Sequence, residues 1–394
     1  MEGTNDRQRG RVIATRTMSA GRLAFLDCLR AIAVMLVFVT HSTEKFSMLP
    51  GGGGSWLAWL AYEFNFGRVG VVVFFAISGF LIPSSLRGGV GDGSVRFVVS
   101  RFFRLFPAFW VSIPAAVAAQ LWLQGRAIGD HDLLLNFTML PRLFGAPMAN
   151  GAYWTLEVEL LFYILCAFLF IGGLLGRGFV LSAFALALGF LFYTSQRPVF
   201  SGLLNPDLSG EAFYFWLHIS VMFWGAVCRK LWDGERIGAP ALLMFGLYSG
   251  YLLLYRPLLL GYQALWLHDV GTEAIRWSAG YSGAMWIFVL LVFFRPLHSR
   301  LLAWMGRISY SFYLLHGPAI YLVFWLAERH AGLQGGPMAA YMLVSFALAL
   351  VVSEASFTLV EAPCVALGRQ VSKWLLRRLG WAAAEPRAVP ARLA

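Results

Sequence analysis

Three ionisable side chains interrupt an apolar run at residues 26–42, LDCLRAIAVMLVFVTHS: Asp27, Arg30 and His41. On a helix, the interval from Arg30 to His41 is nearly three full turns. The two therefore share one face, about 16 Å apart along the axis, and Asp27 falls within about 40° of the same line. A guanidinium binds anions, and an imidazole serves as a base near neutral pH. Ionisable groups inside an apolar helix are costly and mark a pathway or site. The plainer alternative is that Arg30 extends to lipid headgroups and His41 sits at an interface.

Four further segments carry polar groups in apolar surroundings. In RFVVSRFFRLFPAFW, 96–110, Arg101 and Arg104 lie one turn apart on one face. Two guanidiniums so placed bind phosphate oxygens bidentately, or they anchor the end of a membrane span. In GAYWTLEVELLFYIL, 151–165, Glu157 and Glu159 point about 200° apart on a helix, so they cannot serve one face. Either carboxylate needs a partner if buried, or caps the helix start. In GRISYSFYLLHGPAIYLVFW, 306–325, His316 follows Ser309, Tyr310, Ser311 and Tyr313, and Pro318 predicts a kink. His316 is read equally well as a structural hydrogen-bonding residue. In GRVGVVVFFAISGFLIPSSL, 67–86, Ser78-Gly79 permits close helix approach. No G-x-S-x-G elbow supports a serine hydrolase, and no metal-ligand pattern such as H-E-x-x-H occurs.

The elements that must position these groups follow from composition. Of 394 residues, 59% are hydrophobic and 13% charged, about half the charged share of a soluble domain. Apolar segments of spanning length recur. The expected fold is an all-α, polytopic membrane protein with about ten transmembrane helices. They are predicted near 24–43, 69–86, 105–124, 153–174, 178–195, 212–231, 239–257, 281–296, 308–327 and 337–360, the second and eighth being short. With both termini in the cytoplasm, the inside segments hold 23 of the 31 basic residues, as the positive-inside rule requires. The net charge of +11 therefore reads as topology and not as nucleic-acid binding. The N-terminal stretch lacks a signal-peptide pattern and reads as a cytoplasmic tail, 1–22. A transmembrane domain, 23–365, and a basic cytoplasmic tail, 366–394, complete the expected organisation. GGGGS at 51–55 reads as an outer loop. The four cysteines, Cys28, Cys166, Cys228 and Cys364, have no zinc or disulfide spacing. The sequence carries no signal of oligomeric state.

Taken together these motifs resemble acyltransferase family 3, the integral-membrane acyltransferases that O-acylate bacterial surface polysaccharides, lipopolysaccharide O-antigen, Nod factors and some macrolides. The resemblance rests on LDCLRAIAVMLVFVTH, GVVVFFAISGFLI, the Arg101/Arg104 pair followed by L-x-P, WTLEVELLFY, ISYSFYLLHGP and VEAPC, in that order from residue 23 to about 365. It makes Glu159 the matching acid and Glu157 the extra one. Cys28, Thr155 and Ala362 depart from the family pattern, which has glycine, serine and a basic residue there.

The resemblance implies transfer of an acyl group from cytoplasmic acyl-CoA, acetyl-CoA by family habit, to a hydroxyl of a carbohydrate or glycolipid acceptor. It implies a multi-pass protein of the bacterial inner membrane, with acyl-CoA as co-substrate and no permanently bound cofactor or metal. Arg30, Arg101 and Arg104 would hold the phosphates of the donor. His41 would act as general base or carry the acyl group transiently. Glu159, expected at a depth comparable to His41, would orient it or hydrogen-bond the sugar. Asp27, Ser78, Trp154, Tyr310, Tyr313, His316 and Glu361 are supporting or substrate-binding candidates. Tyr153, Trp154 and Trp266 are candidates for stacking on a sugar ring, though interfacial belts use the same residues. A transporter or flippase using Arg30, His41, Glu159 and His316 as a polar pathway is the competing class; it predicts no dependence on acyl-CoA. A non-catalytic assembly role accords less well with so many polar groups in apolar helices.

Overall fold

Helix follows helix wherever the sequence is apolar for sixteen residues or more. The computed structural model describes residues 24–50, 55–123, 125–195, 214–267 and 271–381. Among them there is no strand. The tails 1–22 and 382–394, Gly53 and most of the GGGGS segment lie outside the described residues.

Ten helices occupy the predicted spans: α1 Ala24–Phe46, α2 Phe66–Leu81, α3 Val90–Ala118, α4 Trp154–Ile171, α5 Gly178–Ser195, α6 Phe215–Trp232, α7 Ala239–Leu267, α8 Thr272–Phe294, α9 Ser309–Arg329 and α10 Met338–Arg378. All but α5 and α6 lie in helical stretches long and apolar enough to cross a bilayer. The protein is a multi-pass, all-α membrane protein. Helix α6 is less apolar for a physical reason: it faces protein. Every residue from Leu217 to Cys228 is buried, and α6 packs against both α2 and α5.

Small residues make that packing possible. A Cβ at Gly79 of α2 would collide with the Met222 backbone of α6, and one at Gly225 would collide with the backbone of Ala76 and Phe80. The two backbones thus touch at facing glycines, as in small-residue helix crossings within membranes. Around this pair, α1 joins α2 to α9, and α9 joins α10. The distal part of α10 packs on α3.

Four boundaries differ from the sequence expectation: α3 begins at Val90 and not near 105, α7 runs on to Leu267 and not 257, and the other two concern α8 and α10. Helix α8 begins at Thr272, earlier than predicted, because Ser278, Gly280, Tyr281 and Ser282 look polar but are buried in wide helical turns. Helix α10 does not end near 360. It runs on to Arg378 with Gly368, Ser372 and Leu376 buried, which makes it about 60 Å long, twice the hydrocarbon thickness. The segment read as the start of a tail is therefore helical and packed. Pro107, Pro114 and Pro318 all sit inside unbroken helices.

Candidate active site

Helix α4 approaches α2, α3 and α6 only sparingly, and the gap beside it is a cavity of about 560 Å³. Five guanidiniums line it: Arg30, Arg87, Arg101, Arg104 and Arg229. They come from α1, the turn after α2, α3 and α6, so four chain segments converge their positive ends on one space. Three of the five are already paired. Arg30 meets Asp27 at 3.2 Å, Arg229 meets Asp233 at 2.7 Å, and Arg104 pairs with the buried Glu361. Glu361 also accepts from the Ser311 hydroxyl at 2.8 Å. Arg101 makes no ion pair among the described residues, and its Nε is buried without a partner. Its guanidinium lies 5.6 Å from the Tyr163 ring centre. With Arg87 and Arg101 outside the ion pairs among the described residues and Glu159 the one carboxylate lining it, the cavity has the chemistry to hold an anion.

Glu159 is the carboxylate on its wall. It accepts hydrogen bonds from Ser78 at 2.7 Å and from Tyr163 at 2.6 Å. Tyr310 also lines this cavity and donates to the Leu105 carbonyl at 2.8 Å.

A second cavity, of about 490 Å³, lies at the other end of α1. His41 and His316 line it with their rings stacked, centroids 5.5 Å apart. His41 Nδ1 lies 3.1 Å from a Glu44 carboxylate oxygen, and His316 Nδ1 lies 2.7 Å from the Tyr313 carbonyl. Both partners accept, so the neutral form of each ring carries its proton on Nδ1 and leaves a lone pair on Nε2. Each imidazole is thus set up as a base at Nε2. Asn150, Gln120, Lys45 and Arg126 share this cavity.

The two cavities meet at three groups. The Tyr313 hydroxyl donates to the Ala152 carbonyl at 3.0 Å and accepts from Thr155 at 2.8 Å. Tyr313 and Thr155 line the arginine cavity, while Ala152 lines the histidine cavity.

Arg30, Arg101, Arg104, Ser78, Glu159, Tyr310 and Tyr313 thus gather at one cavity, and His41 and His316 at the other. Of the two roles expected for Glu159, orienting His41 or bonding a sugar, the first has no hydrogen bond behind it among the described residues. Glu159 lies about two turns beyond Gly151, which borders the histidine cavity, and its Oε1 accepts from both Ser78 and Tyr163. Glu44 stands in its place beside His41. The i,i+3 spacing of His41 and Glu44 was the available signal. Glu157 instead pairs with Arg142 at 2.6 Å. Tyr153 is buried with its hydroxyl 2.7 Å from Ser112, so its ring is closed to a ligand, and the half-buried Trp154 packs on Phe75 and His218. Trp266 is exposed, away from both cavities. Arg87 and Arg229, assigned to topology from sequence, are cavity residues as well.

Comparison with known proteins accords with this geometry. A family model described as an acyltransferase domain matches residues 23–354. Nodulation protein 10 of Rhizobium leguminosarum bv. viciae is 26% identical over 249 residues, covering 55% of this chain and 64% of the relative. Peptidoglycan O-acetyltransferase OatA of Listeria monocytogenes is 26% identical over 376 residues, covering 86% of this chain and 55% of the relative. A putative O-acetyltransferase of Staphylococcus aureus strain COL is 23% identical over 392 residues, covering 89% and 58%. The chain thus spans less than two thirds of the length of these relatives. No solved structure matches.

Proposed function

The chain belongs to the acyltransferase domain family, and from that premise we propose that it is an integral-membrane O-acyltransferase of the bacterial inner membrane. It takes an acyl group from acyl-CoA and delivers it to a hydroxyl of a cell-envelope or exported carbohydrate. The observation that carries this is the pair of cavities, one ringed by guanidiniums and the other by two imidazoles, meeting at the Tyr313–Thr155 hydrogen bond.

In this mechanism the phosphates of the donor lie among Arg101, Arg87 and Arg30 at the cytoplasmic end of the bundle. The pantetheine arm, about one leaflet long, carries the thioester past Tyr313 towards His41. Glu44 holds His41 with Nε2 facing the acceptor hydroxyl and steadies the imidazolium that forms, as the acid does in a catalytic triad. The hydroxyl oxygen bonds to the acyl carbon as His41 takes its proton. The carbon–sulfur bond then breaks, and the leaving thiolate receives that proton. Glu159, Ser78 and Tyr163 serve the donor side.

The test has two arms. The purified protein in nanodiscs is given acetyl-CoA with an envelope-glycan fraction, and free thiol and glycan-bound acetyl are measured together. Glycans of deletion and wild-type cells are compared by mass spectrometry. Matched thiol release and O-acetylation, lost on deletion, support the proposal. A solute moved across the bilayer without thiol release would overturn it in favour of transport.

A further inference from the structure

Acyl transfer places negative charge on the carbonyl oxygen, and hydrogen-bond donors already aimed at that oxygen lower the barrier. In the histidine cavity the Gln120 amide and both imidazole Nδ1 donors are committed, while the Arg126 side chain is exposed. Gln120 Nε2 bonds the Met148 and Ala149 carbonyls at 3.1 and 2.8 Å. The Nδ1 protons of His41 and His316 are held by Glu44 and Tyr313. Lys45 lies over the Phe324 ring, 4.0 Å from its centre.

Asn150 differs. Its Oδ1 accepts from the Ala152 backbone N–H at 3.0 Å, capping the short turn that leads into α4. That bond fixes which way the amide faces. Its Nδ2 is buried and has no partner among the described residues, which is costly for an amide donor unless function repays it. The neighbour is Gly317, next to His316. A Cβ there would stand 3.5 Å from Asn150 Nδ2 and 3.7 Å from Oδ1, so glycine keeps the space between the buried amide and the residue after His316 free of a side chain.

We infer that Asn150 Nδ2 donates a hydrogen bond to the acyl carbonyl oxygen as the acceptor hydroxyl attacks. The inference rests on the acyltransferase function proposed above. As the new carbon–oxygen bond forms, the carbonyl π pair moves onto its oxygen, and the Asn150 N–H meets that charge. When the thiolate departs, the pair returns and the hydrogen bond weakens. Asn150 thus has two separable tasks, a cap through Oδ1 and a donor through Nδ2.

Asn150→Asp and Asn150→Ser separate them, because Asp and Ser are good N-caps and neither carries the amide N–H. The assay is steady-state acetyl transfer by folded protein, with acetyl-CoA binding as a control. The expected result is a fall in kcat of about 10²- to 10³-fold in both variants, with donor affinity and acceptor KM near wild type. Gly317→Ala, which covers the amide, should lower kcat in the same sense. Wild-type kcat in Asn150→Asp and Asn150→Ser would reduce Asn150 to a cap. A raised acceptor KM with unchanged kcat would also overturn the inference, since it marks ground-state binding. His41→Ala in the same assay keeps the two readings apart. If it alone abolishes transfer, the Asn150 role fails and the acyltransferase proposal stands; if wild type shows no transfer, the proposal itself fails.

Discussion

The Tyr313 hydroxyl accepts a hydrogen bond from Thr155 at 2.8 Å, and these two side chains stand where the arginine cavity and the histidine cavity meet. One of them belongs to α9 and the other to α4. The two cavities are therefore separated by a contact between two helices and not by a layer of core.

That contact should control leakage. Tyr313→Phe keeps the ring but loses both hydroxyl bonds, each worth about 0.5–1.5 kcal/mol net. Acetyl-CoA should still bind, while thiol release without acceptor rises, because water reaches the thioester more easily. Thiol appearance followed with a colorimetric reagent measures this. An unchanged ratio of acceptor-free to acceptor-dependent release would show that Tyr313 closes nothing.

His41 and Glu44 should act as a unit. His41→Ala is expected to lower kcat by about 10²- to 10⁴-fold, the usual worth of a positioned base. Glu44→Gln should lower kcat less, with donor affinity kept. Glu159→Gln should act on the other side, weakening donor binding rather than shifting the pH profile of kcat. A changed kcat pH profile in Glu159→Gln, with none in Glu44→Gln, would assign the orienting role to Glu159 and not to Glu44.

The two α3 arginines should fail differently. Arg101 has no ion pair among the described residues, so Arg101→Ala loses a charge-assisted bond to phosphate worth about 1.5–3 kcal/mol, a fall in CoA affinity of roughly 10- to 100-fold. Arg104→Ala also strands buried Glu361, and breaking a buried pair costs about 3–5 kcal/mol. Isothermal titration and folded yield report the two effects, and Arg104→Ala with Glu361→Gln should recover yield but not affinity. Equal yields for both single variants would mean the Arg104–Glu361 pair is not structural.

Gly79→Ala should impair assembly, because its Cβ meets the Met222 backbone and no side chain can move aside. Overpacking of this kind costs about 1–3 kcal/mol. Thermal unfolding of the detergent-solubilised protein is the measurement. A midpoint equal to wild type would mean that the α2–α6 crossing is looser than described.

Sidedness follows from the basic-residue bias. Cysteines replacing exposed Met48 and Val90, after removal of the native cysteines, should label from opposite sides. An impermeant maleimide outside the cell should reach position 48 only. Labelling of both from one side would mean that α2 does not cross, and the donor-to-acceptor path through Tyr313 would have to be given up.

The sequence by itself determined the helices and the faces they present. Hydropathy is a local property, so the spans were legible wherever a helix faces lipid, and α6 was found despite its polar residues because its aromatic and aliphatic content is dense. The alignment of Arg30 with His41 followed from helical period alone, as did the opposed directions of Glu157 and Glu159. Tertiary structure alone decided which carboxylate serves which cavity. Depth along a bundle depends on how far each helix is inserted against its neighbours, and no local pattern encodes that. Glu159 looked level with His41 but enters further, into the arginine cavity, and Glu44 takes the place beside the imidazole. The positive-inside count likewise absorbed Arg87 and Arg229, since a guanidinium facing headgroups and one facing a cavity have the same sequence context. Asn150 was invisible for a similar reason: that its amide lacks a partner is a property of packing around Gly317, not of the residues beside it in the chain.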